Sequence, residues 1–183
     1  CMSSIRCTDA ISSGARQDFE FFVLKDSTLN AFALPGGYIG VHTGLIASAQ
    51  SESELASVLA HEIGHVVQRH MARQVGAQSQ ATLPILAALM IGILAARSNA
   101  DIGQAAMMGA QAASIQNQIS YTRLFEREAD RVGLQILSDG GFDVRAMAEF
   151  FEKMQRYSRL MDSGVVPTYL RSHPVTTERI SDA

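Results

Sequence analysis

One segment, AHEIGHVVQRH at residues 60–70, constrains the fold of this chain more than any other. It holds three of the five histidines of the 183-residue sequence, and it contains no proline. Ser51 lies three residues before Glu54, which is the spacing of a helix N-terminal capping box, and an apolar-rich run follows. The segment is therefore predicted to be a helix that is apolar on nearly every side, as is typical of a buried helix.

Helical spacing decides which of its polar side chains face one another. At about 100° per residue, His61 and His65 lie one turn apart on the same face, with Glu62 beside them. His70 falls on the opposite side and cannot share a ligand with them. Two imidazoles and an adjacent carboxylate form the H-E-x-x-H pattern, in which the histidines bind Zn²⁺ and the glutamate takes a proton from water.

A catalytic zinc site normally has three protein ligands, so two histidines do not complete it. Gln68 and Met71 stand where an extended H-E-x-x-H-x-x-G-x-x-H pattern needs glycine and histidine, which excludes that class. The segment FEREADRVG at residues 125–133 offers Glu126 and Asp130 at i, i+4 spacing. On that geometry Glu126 is the predicted third ligand, and Asp130 accepts a hydrogen bond from a ligand histidine.

The charged residues of this second segment also have a simpler interpretation. Side chains between Arg123 and Arg131 could form a solvated helix surface with i, i+4 ion pairs. Glu128 points away from the face that Glu126 and Asp130 share. The presence of H-E-x-x-H elsewhere in the chain favours the metal site.

Four motifs, in this order, resemble those of a known family: NAFALPGG, LAHEIGHVVQRH, EREADRVG and SHPVTTERI. The family is that of the zinc metalloendopeptidases that include the CAAX prenyl proteases, the bacterial heat-shock membrane protease and the periplasmic β-barrel assembly-enhancing protease. The chain is most similar in pattern to the periplasmic branch. The resemblance implies one Zn²⁺ per chain, with His61, His65 and Glu126 as its ligands. It also implies Glu62 as the general base and Asp130 as the hydrogen-bond acceptor of a ligand histidine.

The motif SHPVTTERI supplies two further candidate site residues. His173 is the candidate for a catalytic group that stabilises the oxyanion, with Arg179 near the site. Alternatively, His173 closes the fourth zinc position, which gives a latent protease or an inactive zinc-stabilised binding or chaperone-like module. A third interpretation is a plain helix start with Pro174 at its first position. Glu62 would have no purpose in a closed structural site, which favours a protease.

Strands are predicted before the metal-binding helix. FEFFVLKD and GYIGVHTG have β-type composition, and LPGG between NAFA and YIGV indicates a hairpin turn. A sheet edge beside a cleft binds extended peptides through backbone pairing. The resemblance implies that residues 30–34 or 37–41 line that edge. The predicted substrate-binding residues are Asn30, Ala31, Phe32, Ala33 and Gly37.

The longest apolar run is LPILAALMIGILAA, residues 83–96. It is shorter than the about 20 residues that a membrane span needs, so we expect a buried helix or a helix that contacts the membrane peripherally. The Ala-, Gly-, Met- and Gln-rich residues 100–120 suit close helix packing or a lid over the cleft. Two later helices are expected, at about 119–138 and from Asp143 to about Met161.

Composition adds few constraints. A net charge of −3 gives no basic surface for nucleic acid. Cys1 and Cys7 are too few for a disulfide framework. Cys1 could be the lipidated first residue of a mature lipoprotein, but Met2 directly after it favours an artificial junction.

The predicted fold class is α+β and mainly helical: a gluzincin-like metallopeptidase domain with a small β-sheet and zinc held between two antiparallel helices. Residues 1–183 are predicted to form a single metalloprotease domain, and the resemblance implies a helical-repeat domain after it. By the same resemblance we expect polypeptide substrates, including misfolded or misassembled outer-membrane proteins. The expected location is the bacterial periplasm, in association with the outer membrane.

Overall fold

A computed structural model describes residues 18–96, 100–160 and 167–183, so the expectations for Cys1 and Cys7 lie outside the described residues. Three strands precede the helices: β1 (Glu20–Leu24), β2 (Ala31–Leu34) and β3 (Tyr38–His42). The helices are α1 (Thr43–Ser48), α2 (Glu52–Val67), α3 (His70–Ala96), α4 (Ala100–Asp139), α5 (Arg145–Leu160), α6 (Thr168–Ser172) and α7 (Thr177–Asp182). The predicted class, α+β and mainly helical, is confirmed.

The sheet has the order β1-β3-β2, with β3 parallel to β1 and antiparallel to β2. The predicted hairpin is confirmed: Leu34 pairs with Tyr38, and the turn between them uses Gly36 and Gly37 at φ of 93° and 91°. Glycine adopts this left-handed region without the steric cost of a side chain. Because β3 is paired on both sides, the interpretation of residues 37–41 as a free edge is wrong. Among the described residues, β2 is an edge strand of this sheet, with its second edge unpaired.

The chain divides into two compact units. The first contains the described residues up to Gln68 and from Glu126 onward, and the second contains Arg69–Phe125. The core of the first unit is formed by buried apolar side chains of the sheet, α2, α4 and α5. The predicted apolar stripe of α5 is confirmed by its buried residues Phe150, Phe151 and Met154. A single protease domain followed by a helical-repeat domain stays a prediction.

Helix α2 begins where the capping pattern predicts. The Ser51 hydroxyl accepts a hydrogen bond from the Glu54 N–H at 3.0 Å. The Glu54 carboxylate does not return a bond to Ser51 but accepts from the N–H of Gln50 at 2.6 Å, and it pairs with the Lys153 ammonium. The capping box is therefore one-sided, because the second half of the pattern is used to bind α5 to the start of α2.

The second unit is a pair of helices, α3 and the part of α4 before Glu126. A Cβ on Gly103 would lie 2.4 Å from that of Ala96, so the pair is closely packed near its connection. The expectation of a buried helix at residues 83–96 is wrong: Leu83 is 77% exposed and Ile91 64%. By length and composition alone, His70–Leu94 is a candidate membrane span.

Helix α4 is much longer than the predicted helix at residues 119–138, since it begins at Ala100 and runs for 40 residues. Its first half is rich in alanine, glutamine and methionine, all of which favour helix. Because so few of these side chains are large and apolar, the sequence pattern shows no strong amphipathic period there. The long helix carries the second metal-site motif, Glu126 to Asp130, back to the first unit.

Candidate metal centre

Two helices that carry the two motifs pack with their backbones in close contact. A Cβ on Gly64 of α2 would lie 2.7 Å from the carbonyl oxygen of Ala129. A Cβ on Gly133 of α4 would lie 3.2 Å from the backbone nitrogen of His61. As the residue number rises in α2, the number of the facing residue in α4 falls. The two helices therefore run antiparallel, and glycines at the contact allow short side chains to reach across it.

Three of the predicted site residues meet across this contact. His61 Nε2 lies 3.0 Å from His65 Nε2. The carboxylate of Glu126 lies 3.4 Å from His61 Nε2 through Oε2 and 3.3 Å from His65 Nε2 through Oε1. His61 and Glu126 are buried, at 1% and 4% exposure, so these groups meet away from bulk water.

His173 joins the same group from the C-terminal segment. Its Nδ1 lies 3.2 Å from His61 Nε2 and 3.1 Å from Glu126 Oε1. One ligand atom from each of His61, His65, Glu126 and His173 lies within 4.8 Å of all the others. These four residues could therefore hold one metal ion between them.

The spacing and chemistry of this group fit a zinc ion. Tetrahedral zinc with bonds of about 2.0–2.1 Å separates its ligand atoms by about 3.3 Å. The distances between ligand atoms, from 3.0 Å between His61 and His65 to 3.4 Å between His61 and Glu126, bracket that value. A proton between two ring nitrogens satisfies only one such contact at a time, whereas a cation satisfies every nitrogen lone pair at once. Imidazole and carboxylate are also common zinc ligands.

The second nitrogen of His61 is held by a carboxylate. His61 Nδ1 lies 2.8 Å from Asp130 Oδ1, and because Asp130 is ionised, Nδ1–H is the donor. When the ring is neutral, Nε2 is therefore the nitrogen with the free lone pair, and it faces the other ligand groups. The guanidinium of Arg179 donates to both oxygens of Asp130 at 2.7 Å, and its Nη1 lies 2.8 Å from Glu126 Oε2. Phe151 packs against this guanidinium at 4.6 Å.

These contacts set the charge of the metal-free group. Burial opposes protonation of His61, but hydrogen bonds to Asp130 and Glu126 outweigh it and raise the pKa to about 9. Burial lowers the pKa of His65. For Glu126, burial is outweighed by hydrogen bonds from the three histidines, with His173 first, which hold its pKa below the usual value. The metal-free group therefore contains ionised carboxylates and a protonated His61. A metal cation would take the place of the proton on His61 Nε2.

Glu62 lies on the far side of the His173 ring. Its Oε1 is 3.3 Å from His173 Nε2 but has no hydrogen-bond partner in the described part of the chain. His173 is the C-cap of α6, and α7 begins only at Thr177 with Thr176 as its N-cap. Pro174 is thus not the first residue of a helix, and the interpretation of SHP as a plain helix start is wrong.

The other residues considered from the sequence lie away from the ligand group. His70 is buried in the second unit, where its ring stacks on Phe125 at 4.5 Å. Ala31 is fully buried in β2, which packs against α2, while Phe32 and Ala33 are partly buried. Other positions of the predicted strand use their carbonyls within the sheet: Asn30 accepts from the His42 N–H at 3.0 Å, and Gly37 from the Glu20 N–H.

Sequence reasoning missed Tyr169, which is fully buried beside the group. Its ring centroid lies 4.8 Å from that of His173. The i, i+4 spacing of these two residues is the signal that could have indicated the contact, because a helical turn brings such side chains together. Gly64 lies within the H-E-x-x-H motif, but the residues around it do not predict its contact with Ala129, because that contact depends on how α4 packs.

Comparison with known proteins agrees with this geometry. The profile of peptidase family M48 matches residues 4–183. A Vibrio cholerae relative, whose name assigns it provisionally to the beta-barrel assembly-enhancing proteases, is 44% identical over 174 residues, which cover 95% of this chain and 36% of the relative. The beta-barrel assembly-enhancing protease of Escherichia coli K12 is 38% identical over 172 residues, which cover 94% of this chain and 35% of the relative.

A more distant relative is the mitochondrial metalloendopeptidase OMA1 of Schizosaccharomyces pombe, which is 30% identical over 172 residues covering 93% of this chain and 47% of that protein. The chain spans about a third of the length of the two bacterial relatives, at 36% and 35%. The family profile, by contrast, matches nearly the whole chain, including both helices of the metal centre. The chain therefore belongs to peptidase family M48.

Proposed function

We propose that this chain is the catalytic domain of a zinc-dependent metalloendopeptidase that hydrolyses peptide bonds in polypeptides. One Zn²⁺ per chain would be held by His61, His65 and Glu126. The observation that carries the proposal is the meeting of these ligand groups and His173 beside the buried carboxylate of Glu62. Membership of a peptidase family supports the same conclusion.

The side chains of the centre divide the chemistry between them. Zinc held there would lower the pKa of water toward ~7 and polarise the scissile carbonyl. Glu62 would accept the proton of the attacking water and pass it to the leaving amine. Its Oε1 has no hydrogen-bond partner among the described residues, which supports this role. Asp130, itself held by Arg179, would keep His61 in the tautomer whose Nε2 faces the metal.

Two roles are open for His173 within this proposal. As a donor it would stabilise the oxyanion, and as a fourth ligand it would close the metal centre and make the resting enzyme latent. The contacts of its Nδ1 with His61 and Glu126 favour the fourth ligand. The second candidate function, a zinc-stabilised binding or chaperone-like module without peptidase activity, rests on the same contacts. The buried carboxylate of Glu62 argues against it, because a purely structural site has no use for that charge.

We propose that the substrate pairs through its backbone with the free edge of β2. The strand, Ala31–Leu34, contains the predicted residues Ala31, Phe32 and Ala33, with Asn30 before it and Gly37 in the turn beyond it. Its packing against α2, the helix of His61 and His65, supports this site. Backbone pairing would let the enzyme accept many sequences, because it depends little on substrate side chains.

The relatives suggest where such an enzyme would act. The Escherichia coli relative is named a beta-barrel assembly-enhancing protease. By that likeness we propose the bacterial periplasm as the location, in association with the outer membrane, and misfolded or misassembled outer-membrane proteins as substrates. The activity would then serve quality control of envelope proteins. The exposed apolar side chains of residues 83–96 would provide a peripheral membrane contact, which flotation with anionic phospholipid vesicles tests.

Metal analysis and a casein digest test the central proposal. The purified chain should contain about one zinc and cleave casein, and a chelator should stop cleavage until zinc is restored. Glu62→Gln should keep the zinc but lower the rate at least ~100-fold, since an amide cannot accept the proton. Cleavage that persists in the chelated protein or in the Glu62→Gln variant would overturn the proposal. A protein that keeps zinc but does not cleave, either unmodified or as His173→Ala, would support the inactive module, because His173→Ala would open a latent site.

A further inference from the structure

Tyr169 contacts His173 in two ways and has no part in the roles above. The ring centroids of the two residues lie 4.8 Å apart, with 30° between the ring planes. The carbonyl oxygen of Tyr169 also accepts the N–H of His173 at 2.8 Å. Both the side chain and the backbone of Tyr169 therefore hold the residue that faces the metal ligands.

Tyr169 is itself fixed on two sides. The edge of its ring meets Phe150, a core residue of α5, at 5.5 Å between centroids and 79° between planes. Its N–H donates to the carbonyl of Leu29 at 3.1 Å, two residues before β2 begins. The ring of Tyr169 thus connects Phe150 in the core to the imidazole of His173. The helix that carries Tyr169, α6, has only five residues, so this connection provides support that so short a helix lacks.

The hydroxyl of Tyr169 has no hydrogen-bond partner within the described residues, although the side chain is fully buried. An unpaired buried hydroxyl destabilises a fold rather than holding a side chain in place. Burial also raises the pKa of this phenol well above its usual value, so the group stays uncharged. The hydroxyl therefore does not explain how Tyr169 is held, whereas the ring makes all the contacts described above.

We propose that Tyr169 is a positioning residue whose ring, rather than its hydroxyl, fixes the imidazole of His173 between the metal ligands and Glu62. His173 is the C-cap of α6, with backbone angles of −123° and 79°, and its N–H is held by the Tyr169 carbonyl, but this backbone bond does not fix the rotation of its imidazole. Loss of the ring would leave the imidazole free to rotate away from Glu126. The catalytic consequence rests on the proposed peptidase function, but the positioning itself does not.

The first test observes His173 directly in the metal-free protein. Side-chain ¹H–¹⁵N NMR of the imidazoles is recorded, and the His173 signals are identified by their absence in His173→Ala. Tyr169→Leu should broaden these signals or change the ¹⁵N shifts that report the tautomer of His173, by more than the small offset that loss of the ring current causes. Tyr169→Phe should leave both unchanged. Phe142→Leu is the matched control, because Phe142 packs against the same core and is not a member of the ligand group. This readout needs neither metal nor activity.

The second test uses casein cleavage by the zinc-loaded protein. Tyr169→Leu should change the rate in the same direction as His173→Ala, and adding it to His173→Ala should have an effect of less than about threefold, because two changes that act through one group are not additive. Tyr169→Phe should stay within about threefold of the unmodified protein. If Tyr169→Leu does not fold, as judged by circular dichroism, Tyr169→Met replaces it, since methionine fills irregular space well.

Two results would overturn the inference. One is a Tyr169→Leu protein in which the line widths and ¹⁵N tautomer shifts of His173 match those of the unmodified chain. The other is a Tyr169→Phe protein as impaired as Tyr169→Leu, which would assign the role to the hydroxyl. Failure of the proposed function looks different: the protein would not bind zinc, or Glu62→Gln would have no effect, while the NMR comparison of Tyr169 variants would still give its answer.

Discussion

Gly64 and Ala129 bring the two helices of the metal centre into direct backbone contact. A Cβ on Gly64 would lie 2.7 Å from the carbonyl oxygen and 3.0 Å from the Cα of Ala129. His65 follows Gly64 in α2, and Asp130 follows Ala129 in α4. The contact therefore sets the distance across which the carboxylates of α4 reach the histidines of α2.

Gly64→Ala should separate the two helices and weaken the metal centre. The added methyl group has no space, and overpacking of this kind costs about 1–3 kcal/mol. We expect a lower thermal midpoint and weaker zinc binding, measured by calorimetry. Gly109→Ala is the control, because Gly109 is helical and has no neighbour within 4 Å of its Cβ position. Equal behaviour of the two variants would show that the contact is unimportant.

Glu126→Ala should release the metal, whereas Glu128→Ala should retain it. Of these two glutamates, only Glu126 belongs to the ligand group, with His61, His65 and His173. Removal of one of three protein ligands leaves a site that binds zinc weakly. Metal content after gel filtration measures the difference, and His65→Ala serves as the positive control. Metal loss from the Glu128 variant alone would mean that α4 presents its other face.

Zinc affinity should rise with pH up to about pH 9. The pKa of His61 is raised from 6.5 to about 9 in the metal-free protein, so zinc must displace a proton near neutral pH, and affinity should increase about tenfold per pH unit. Protonated His61 also stabilises the metal-free fold fully below pH 6.5, and this contribution is lost as the pH rises through about 9. Asp130→Asn should reduce both effects.

Titration calorimetry in buffers of different ionisation enthalpy checks this prediction. We expect release of about one proton per zinc near neutral pH and none well above pH 9. An affinity that is flat between pH 6.5 and pH 9 would contradict a raised pKa for His61. The Asp130→Asn comparison separates this carboxylate from Glu126, which also raises that pKa.

His173→Ala distinguishes the two proposed roles of that histidine. If His173 closes the fourth zinc position, the variant should keep zinc and cleave casein faster, because water gains access. If it donates to the oxyanion, the rate should fall roughly 100-fold at unchanged zinc content. The structure favours the first result, since Nδ1 lies 3.2 Å from His61 Nε2. An unchanged rate would exclude both roles.

Several features of the fold and of the candidate site could be predicted from the sequence because they depend on local periodicity. One helical turn places His61 and His65 on the same face of α2, and it places Glu126 and Asp130 on the same face of α4. The hairpin before Tyr38 follows from glycines that adopt positive φ. In each case residues close in sequence are related by one regular element, so spacing alone is enough.

Tertiary structure decided what depends on distant partners. Whether residues 30–34 or 37–41 form the sheet edge was settled by β1, which pairs with β3 and leaves β2 outermost. His173 contacts Glu126 although it lies 47 positions further along the chain. Tyr169, which accepts the N–H of His173, donates its own N–H to Leu29 before β2. The exposure of residues 83–96 likewise depends on what packs against that helix. Sequence spacing defines which side chains share an element's face, but only packing of separate elements determines what that face meets.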